Sequence, residues 1–402
     1  MTTNKFTFFF FIILLYNFCT SCSILKVHSV SNEFDGIKSS IDNKDVDSTD
    51  IRIFITHGVG PQELDFSEKF IAGIMKETNE YTKVASKTIN VNEGRIFISQ
   101  YSQGSNKITF YSVHWSNITE EFKGWLKENH QQTKNSRAPV NNYIQTKIMN
   151  ENFSDFVLYK SPFYKCRIQA PIIEAMKYMY GYKDLPSGFI SEIPLDNTDI
   201  YLVTGSLGTK IVFDVLNDII YEGKSLLSNS EGSNILERDI IPVCIYPDIQ
   251  LNEIDSVKWF SNSKKIALTT SIQKTTIKTI FSLSNQIPLL SVDELNASDG
   301  DNFKEYYQNN TAHICNFICN LNQDSFQLVG FYDPNDILGY ALWASRDEYG
   351  YCENNSRLIV SGCVIDNARV WLCLFAHPKN AHVGGWKNKK IISMIYNGSK
   401  IK

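Results

Sequence analysis

One stretch near the middle of the chain, residues 200–221, limits the possible folds more than any other. Residues 200–203 are apolar and rich in strand-forming side chains, and they predict a short buried strand. Residues 209–221 repeat apolar side chains at helical spacing, which predicts an amphipathic helix. The intervening residues 204–208 include two glycines and Ser206, so the chain reverses direction within a few residues. A strand, a tight turn and a helix in this order predict an α/β fold.

A serine on such a turn is forced into a strained backbone conformation that exposes its hydroxyl above the sheet. Small neighbours allow the strand and the helix to approach each other closely. Ser206 is therefore the candidate nucleophile. The G-x-S-x-G pattern is incomplete, because Thr204 stands where the first glycine is usual. The alternative interpretation is an ordinary glycine-rich turn without chemistry.

Serine is a poor nucleophile by itself and needs a base, which a carboxylate orients. In doubly wound hydrolases the acid and then the histidine follow the serine along the chain, each in a loop after a later strand. Asp333 and Asp336 follow a predicted strand at 327–332. We favour Asp336 as the orienting acid, because apolar residues that re-enter the fold follow it. Asp333 is the alternative acid, or it caps the turn.

Two histidines, His377 and His382, follow the last predicted strand at 369–375. His382 precedes two glycines and the terminal helix, where the backbone can bring the ring back over Ser206. His377 lies nearer the strand and precedes a proline, which is typical of a turn. We favour His382 as the base; for either histidine, the alternative is a solvated loop residue.

A glycine-rich turn, residues 57–60, follows the predicted strand 51–56. Its backbone can offer an N–H group toward Ser206, and the second donor would be the N–H of Leu207. Such an oxyanion hole stabilises the charge that develops in acyl transfer. The Val59 N–H is the first candidate and that of Gly60 the alternative. We expect the imidazole of His57 to hydrogen-bond within its loop in a structural role.

The rest of the chain fits a mostly parallel central sheet with helices on both faces. A hairpin is predicted at 95–115, and a helical insertion or cap at about 116–198. Further strands are predicted at 51–56, 240–246, 278–284, 327–332 and 369–375, and further helices at 66–78, 303–322 and 388–396.

Residues 1–22 predict an export leader. Lys5 precedes an apolar run that is too short for a comfortable membrane span. Small residues before Cys22 resemble a bacterial lipobox, in which Cys22 is lipidated and becomes the mature N-terminus; Cys19 stands where leucine is usual. A cleaved signal without lipid and an uncleaved anchor are the alternatives. The polar residues 23–50 predict a tether, and residues 51–402 the folded domain.

Composition limits the partners. The net charge is −4 and the pI is near 6.0, and Lys and Arg are scattered, so a nucleic-acid partner is not expected. Cysteine and histidine spacing gives no convincing zinc site.

Five sequence blocks resemble α/β-hydrolase-fold serine hydrolases of the lipase and esterase type, and more narrowly a poorly characterised exported bacterial group. The blocks are IFITHGVGPQ, TGSLGTKIVFD, SNQIPLL, DPNDILGY and NAHVGGW, and they occur in the same order from about residue 51 to 390. This chain departs from the group at Thr209 and Gly339, where serine is usual, and at Gly385, where tyrosine is usual.

The resemblance implies Ser206 as nucleophile, His382 as base and an acid within Asp333–Asp336. It implies hydrolysis of a carboxylic ester, with a lipid or other acyl ester favoured, and it implies no metal or organic cofactor. A membrane-anchored protein of the bacterial cell envelope is expected, and otherwise a periplasmic or secreted one. The competing hypothesis is an exported binding or scaffold protein that keeps the fold without catalysis.

Overall fold

A computed structural model describes residues 27–42, 49–131, 136–190, 198–230, 275–286, 325–340, 357–368 and 375–400, with a few isolated residues besides. The apolar runs of the sequence form a nine-stranded sheet. The strands are β1 (Val27–Val30), β2 (Asp50–Thr56), β3 (Thr82–Val91), β4 (Gly94–Gln103), β5 (Asn106–His114), β6 (Thr198–Gly205), β7 (Thr276–Leu283), β8 (Ser325–Tyr332) and β9 (Arg357–Ile365).

The spatial order of the strands is β1-β9-β8-β7-β6-β2-β5-β4-β3. Neighbours from β9 through β5 pair in parallel, whereas β1, β4 and β3 add antiparallel strands at the two edges. The sheet is therefore mostly parallel, as expected.

Helices cover both faces of the sheet. They are α1 (Ile37–Ile41), α2 (Glu68–Thr78), α3 (Glu120–Gln131), α4 (Pro139–Tyr143), α5 (Ser154–Lys160), α6 (Pro162–Met179), α7 (Leu207–Ser230), α8 (Pro378–Val383) and α9 (Lys389–Asn397), with a π-helix at Ile144–Phe153 and 3₁₀ turns at Ser116–Thr119 and Gly384–Lys387.

Side chains of β2 show why this strand is mostly apolar; its buried Arg52 and Asp50 pair with each other at 2.8 Å. Phe54 packs in the core with α6 and α7, whereas Ile53 and Ile55 pack in the opposite core with α1, α2 and α9. A parallel strand that is buried on both faces is apolar at most positions, and any polar side chain in it needs a buried partner. The strand 51–56 is therefore confirmed as a central strand.

The local patterns predicted most elements of this scaffold. The hairpin at 95–115 is β4 and β5, which pair in antiparallel register. Helix 66–78 is α2, the helix after Ser206 is α7, and the terminal helix is α9. The strands at 278–284 and 327–332 are β7 and β8. The predicted strand 240–246 and helix 303–322 lie outside the described residues.

The tether prediction is wrong for residues 27–42. Strand β1 pairs with β9, and Phe34 and Ile37 are buried in the core. The backbone of Phe34 also exchanges two hydrogen bonds with Ser399, at 3.1 and 2.9 Å. Apolar residues are sparse in this polar segment, yet they suffice to cover one edge of the sheet.

The predicted strand 369–375 is also wrong as a strand of the main sheet. Val370–Trp371 and Phe375–Ala376 form two short strands, β10 and β11, which pair with each other in a separate sheet. The main sheet instead contains β9 and β3, which the sequence patterns did not indicate. Strand β3 is largely exposed at the sheet edge, so it lacks the apolar alternation that marks a half-buried strand.

The described part of the segment 116–198 is mostly helical, as expected, although residues 180–190 are turns and irregular structure and Thr198 begins β6. However, the segment is more than a cap over the sheet, because α6 packs on the sheet itself. Ile168, Ile172 and Met176 of α6 lie in the same core as Phe54. This segment is also the crossover that carries the chain from β5 past β2 to β6.

Candidate active site

Ser206 is the single residue between strand β6, which ends at Gly205, and helix α7, which begins at Leu207. Its backbone φ is 50°, in the left-handed region that is rare for residues other than glycine. Its N–H donates to the carbonyl of Leu283 on the neighbouring strand, at 2.8 Å. The turn is therefore strained and held in place, as the sequence predicted for a nucleophile elbow.

Glycine at 208 lets helix α7 approach the loop that follows β2. An added Cβ at Gly208 would lie 3.0 Å from the carbonyl carbon of His57, and closer still to its oxygen. At Gly58, an added Cβ would lie 3.0 Å from the Ser206 hydroxyl oxygen. The turn and this loop consequently pack backbone against backbone beside the serine.

The His382 ring joins Ser206 to Asp336. Nε2 lies 3.0 Å from the Ser206 Oγ, and Nδ1 lies 2.9 and 2.8 Å from the two carboxylate oxygens of Asp336. The Asp336 side chain is fully buried and that of His382 is 9% exposed. His382 lies on the short helix α8, whereas a loop after the last strand was expected. The three side chains form the hydrogen-bonded chain that acyl transfer by serine requires.

The second acid, Asp333, has a different environment. One carboxylate oxygen accepts the Asn335 N–H at 2.7 Å, and the other accepts the N–H groups of Asn367 and Ala368. It therefore joins the turn after β8 to the segment after β9. His377, the second histidine, is exposed and precedes α8. The structure brings Asp336 and His382 to the serine and places Asp333 and His377 elsewhere.

His57 is buried and serves the loop, as expected. Its Nδ1 lies 2.8 Å from the Gly58 carbonyl, and its Nε2 accepts the Trp115 N–H at 3.0 Å. Burial lowers the pKa of His57 well below its ordinary value, so the ring is neutral. Nδ1 then carries the proton, and Nε2 is the acceptor.

The two candidate oxyanion donors lie beside the serine. Leu207 is the first residue of α7, where backbone N–H groups lack helical partners. Val59 lines the cleft in front of Ser206. The alternative donor, Gly60, is already engaged, because its N–H donates to the carboxylate of Asp155 at 2.7 Å. Val59 therefore remains the candidate in this loop.

Two residues beside the site, Ser284 and Thr209, were given no role in it from the sequence. Ser284 follows β7, has a φ of 52°, and donates its hydroxyl to the carbonyl of His382. Thr209, one of the departures from the family pattern, lies 2.9 Å from the Thr204 hydroxyl and 3.0 Å from that of Ser282. The SNQIPLL block contains Ser284, so its place in that block was the available signal.

The cleft at Ser206 encloses about 280 Å³, part of which is open to solvent. Val59, Leu283, Val383 and Trp386 line its apolar side, and Gln62 and Ser284 are polar groups in its wall. Ser206 itself is only 2% exposed, and it lies in the wall of this cleft.

Together the fold and the site define an α/β protein that gathers Ser206, His382 and Asp336 near the carboxyl ends of its parallel strands, where open α/β sheets bind ligands. Comparison of the chain with models of known protein families, with curated proteins and with solved structures finds no match in any of the three. Among the helices that the structure describes, none is long and apolar enough to cross a membrane.

Proposed function

We propose that this protein is a serine hydrolase with an α/β-hydrolase fold that cleaves a carboxylic ester through an acyl-enzyme. The observation that carries the proposal is the hydrogen-bonded chain from Ser206 through His382 to Asp336, with distances of 3.0 and 2.8 Å. The strained backbone of Ser206 and the buried position of Asp336 add support. Each is what a preorganised nucleophile needs.

The reaction follows from these contacts. Ser206 Oγ attacks the ester carbonyl carbon while its proton passes to His382 Nε2. Asp336 keeps Nδ1 protonated and stabilises the imidazolium that forms. The oxyanion of the tetrahedral intermediate accepts the N–H groups of Val59 and Leu207. The C–O bond to the alcohol breaks, and His382 returns the proton to the departing oxygen.

Water then completes the cycle. His382 removes a proton from the water, whose oxygen attacks the acyl-enzyme carbonyl. The bond to Ser206 Oγ breaks, Oγ regains its proton, and the carboxylic acid leaves. No group beyond these side chains and backbone donors enters the scheme. Thioesters and amides would follow the same steps, and an acyl or lipid ester is favoured by the sequence resemblance alone.

The membrane location also remains a proposal. We propose that the leader directs export and that Cys22 is lipidated, which would anchor the domain to a membrane of the cell envelope. Incorporation of labelled palmitate into the chain, lost in Cys22→Ala, is expected. Label that persists in Cys22→Ala would contradict lipidation at this residue.

The decisive test of the activity is labelling by a fluorophosphonate, which reacts with activated serines. The full chain, purified in detergent, is treated beside Ser206→Ala and His382→Ala, with thermal unfolding to show that all three fold. Labelling of the wild type alone is expected. A folded wild type that takes up no label would refute the catalytic proposal and favour a binding or scaffold protein.

A further inference from the structure

We infer that Asp155, held by Lys123, is a positioning residue for the oxyanion loop at residues 57–60; this inference rests on the proposed function. Asp155 lies in the helical segment 116–198, which the reaction scheme does not use. Its carboxylate is fully buried and accepts the Gly60 N–H at 2.7 Å. The Lys123 ammonium lies 2.7 Å from both carboxylate oxygens.

The hydrogen bonds fix the peptide planes on both sides of Val59. In the plane that follows Val59, the Gly60 N–H donates to Asp155 and the Val59 carbonyl accepts the side-chain amide of Gln62 at 3.3 Å. In the plane before it, the Gly58 carbonyl accepts His57 Nδ1–H at 2.8 Å. A trans peptide directs its N–H opposite to its carbonyl, so the Val59 N–H points away from the His57 ring.

The Asp155 carboxylate holds the peptide between Val59 and Gly60 in one orientation, which an uncharged acceptor would do less firmly. A charge-assisted hydrogen bond is stronger than a neutral one, and it resists rotation of the peptide more firmly. Gly60 needs that restraint, because its φ of 86° is a conformation that glycine leaves easily. A buried carboxylate is tolerated only with partners, and Lys123 supplies the counter-charge. Helices α3 and α5 thus reach from the insertion to the catalytic loop.

The alternative is that this ion pair only stabilises the fold. Two double variants separate the explanations: Lys123→Met with Asp155→Asn, and Lys123→Met with Asp155→Leu. Both variants remove the two charges together, so neither leaves an unpaired charge in the protein interior. Only asparagine still offers an oxygen to the Gly60 N–H. The two variants are therefore matched in charge and similar in size, and they differ in the acceptor.

The readout is steady-state hydrolysis of p-nitrophenyl acetate by the full chain, with thermal unfolding midpoints measured in parallel. We expect kcat of the leucine variant to be lower than that of the asparagine variant by about 10-fold to 100-fold, with KM within about threefold. Equal kcat at matched unfolding midpoints would overturn the inference while leaving the proposed function intact. A folded wild type without hydrolysis and without fluorophosphonate labelling would overturn both.

A measurement on the wild type covers the case in which a variant does not fold. In the chain labelled with ¹⁵N-glycine, the Gly60 amide is expected to exchange with solvent at least about 100-fold more slowly than an unstructured amide. Exchange at the rate of an unstructured amide would show that Asp155 does not hold this N–H in solution, and the inference would fail.

Discussion

Alanine at position 208 is expected to destabilise the protein even though this position lies in a helix. Gly208 is in the first turn of α7, and its Cα lies against the loop that carries His57. An added Cβ would come within 3.0 Å of the His57 carbonyl carbon and 3.1 Å of Thr56 Cγ2. Both neighbours are parts of the central strand or its loop, so neither can turn aside as an exposed side chain would.

The magnitude follows from two opposing terms. Alanine gains up to about 1 kcal/mol over glycine within a helix. Overpacking of a close-packed contact costs about 1–3 kcal/mol. Gly124 in helix α3 is the matched control, because nothing lies within 4 Å of a Cβ added there. Gly124→Ala should therefore stabilise slightly, and Gly208→Ala should be less stable than it by about 2 kcal/mol.

The assay is urea unfolding of both variants and the wild type, followed by fluorophosphonate labelling rates at a temperature where all are folded. A shift of about 1 Å between the loop and Ser206 costs on the order of 100-fold in rate, so Gly208→Ala should label far more slowly than Gly124→Ala. If the two variants unfold at the same urea concentration and label equally, the close approach of α7 to the loop is not real.

Four residues carry the remaining expectations. Asp336→Asn should lower kcat for p-nitrophenyl acetate by about 10⁴-fold with little change in the free energy of unfolding, because the amide holds the His382 ring in the wrong tautomer. A decrease in kcat of less than about tenfold would contradict the role of Asp336. Asp333→Asn should lose about 1–3 kcal/mol of stability while its folded molecules stay active, because its carboxylate accepts backbone N–H groups on both oxygens; loss of activity at unchanged stability would reverse the assignment of the two acids. Burial lowers the pKa of His57, so below about pH 6.5 the unfolded chain binds a proton at this ring that the folded chain does not bind, and stability should fall by up to about 1.4 kcal/mol per pH unit. His57→Gln should reduce that slope, with the part due to His114, whose pKa burial also lowers, remaining; an unchanged slope would count against a neutral His57 ring. Ile37→Ala should cost about 2–5 kcal/mol, as for a core residue, and a free energy of unfolding equal to that of the wild type would restore the tether interpretation.

The candidate site was largely predictable because its residues follow strand ends. Ser206 comes directly after a recognisable apolar strand and Asp336 four residues after another, and parallel strands bring their carboxyl ends to one edge. The expected chain order of serine, acid and histidine then limited the candidate acids and histidines to those that follow the later strands. The sequence favoured Asp336 over Asp333 but left both open, because both acids follow the same strand within four residues; the structure places Asp336 against His382.

Other parts of the site and of the fold are not marked by any local pattern in the sequence. Asp155 lies 95 residues from Gly60, and nothing in the local sequence links a helical aspartate to a glycine loop. Strand β3 is exposed at the sheet edge, and β1 lies within a polar segment, so neither carries the apolar pattern that marks a strand. The sequence 369–375 has such a pattern, but its described residues Val370–Trp371 and Phe375 belong to a pairing outside the main sheet.

The sequence by itself determined the type and order of the central elements, because helix and strand periodicity and the glycines of tight turns act through neighbouring residues. The tertiary structure decided which edge strands join the sheet, which acid contacts His382, and which backbone N–H of the loop at residues 57–60 is taken up by Asp155. Ser206 and His382 are 176 positions apart, yet their atoms lie 3.0 Å from each other. Contacts of this kind depend on how the whole sheet packs and on which hydrogen-bond partner each buried polar group finds. Both are set by residues far apart in the chain, so a local sequence pattern does not predict them.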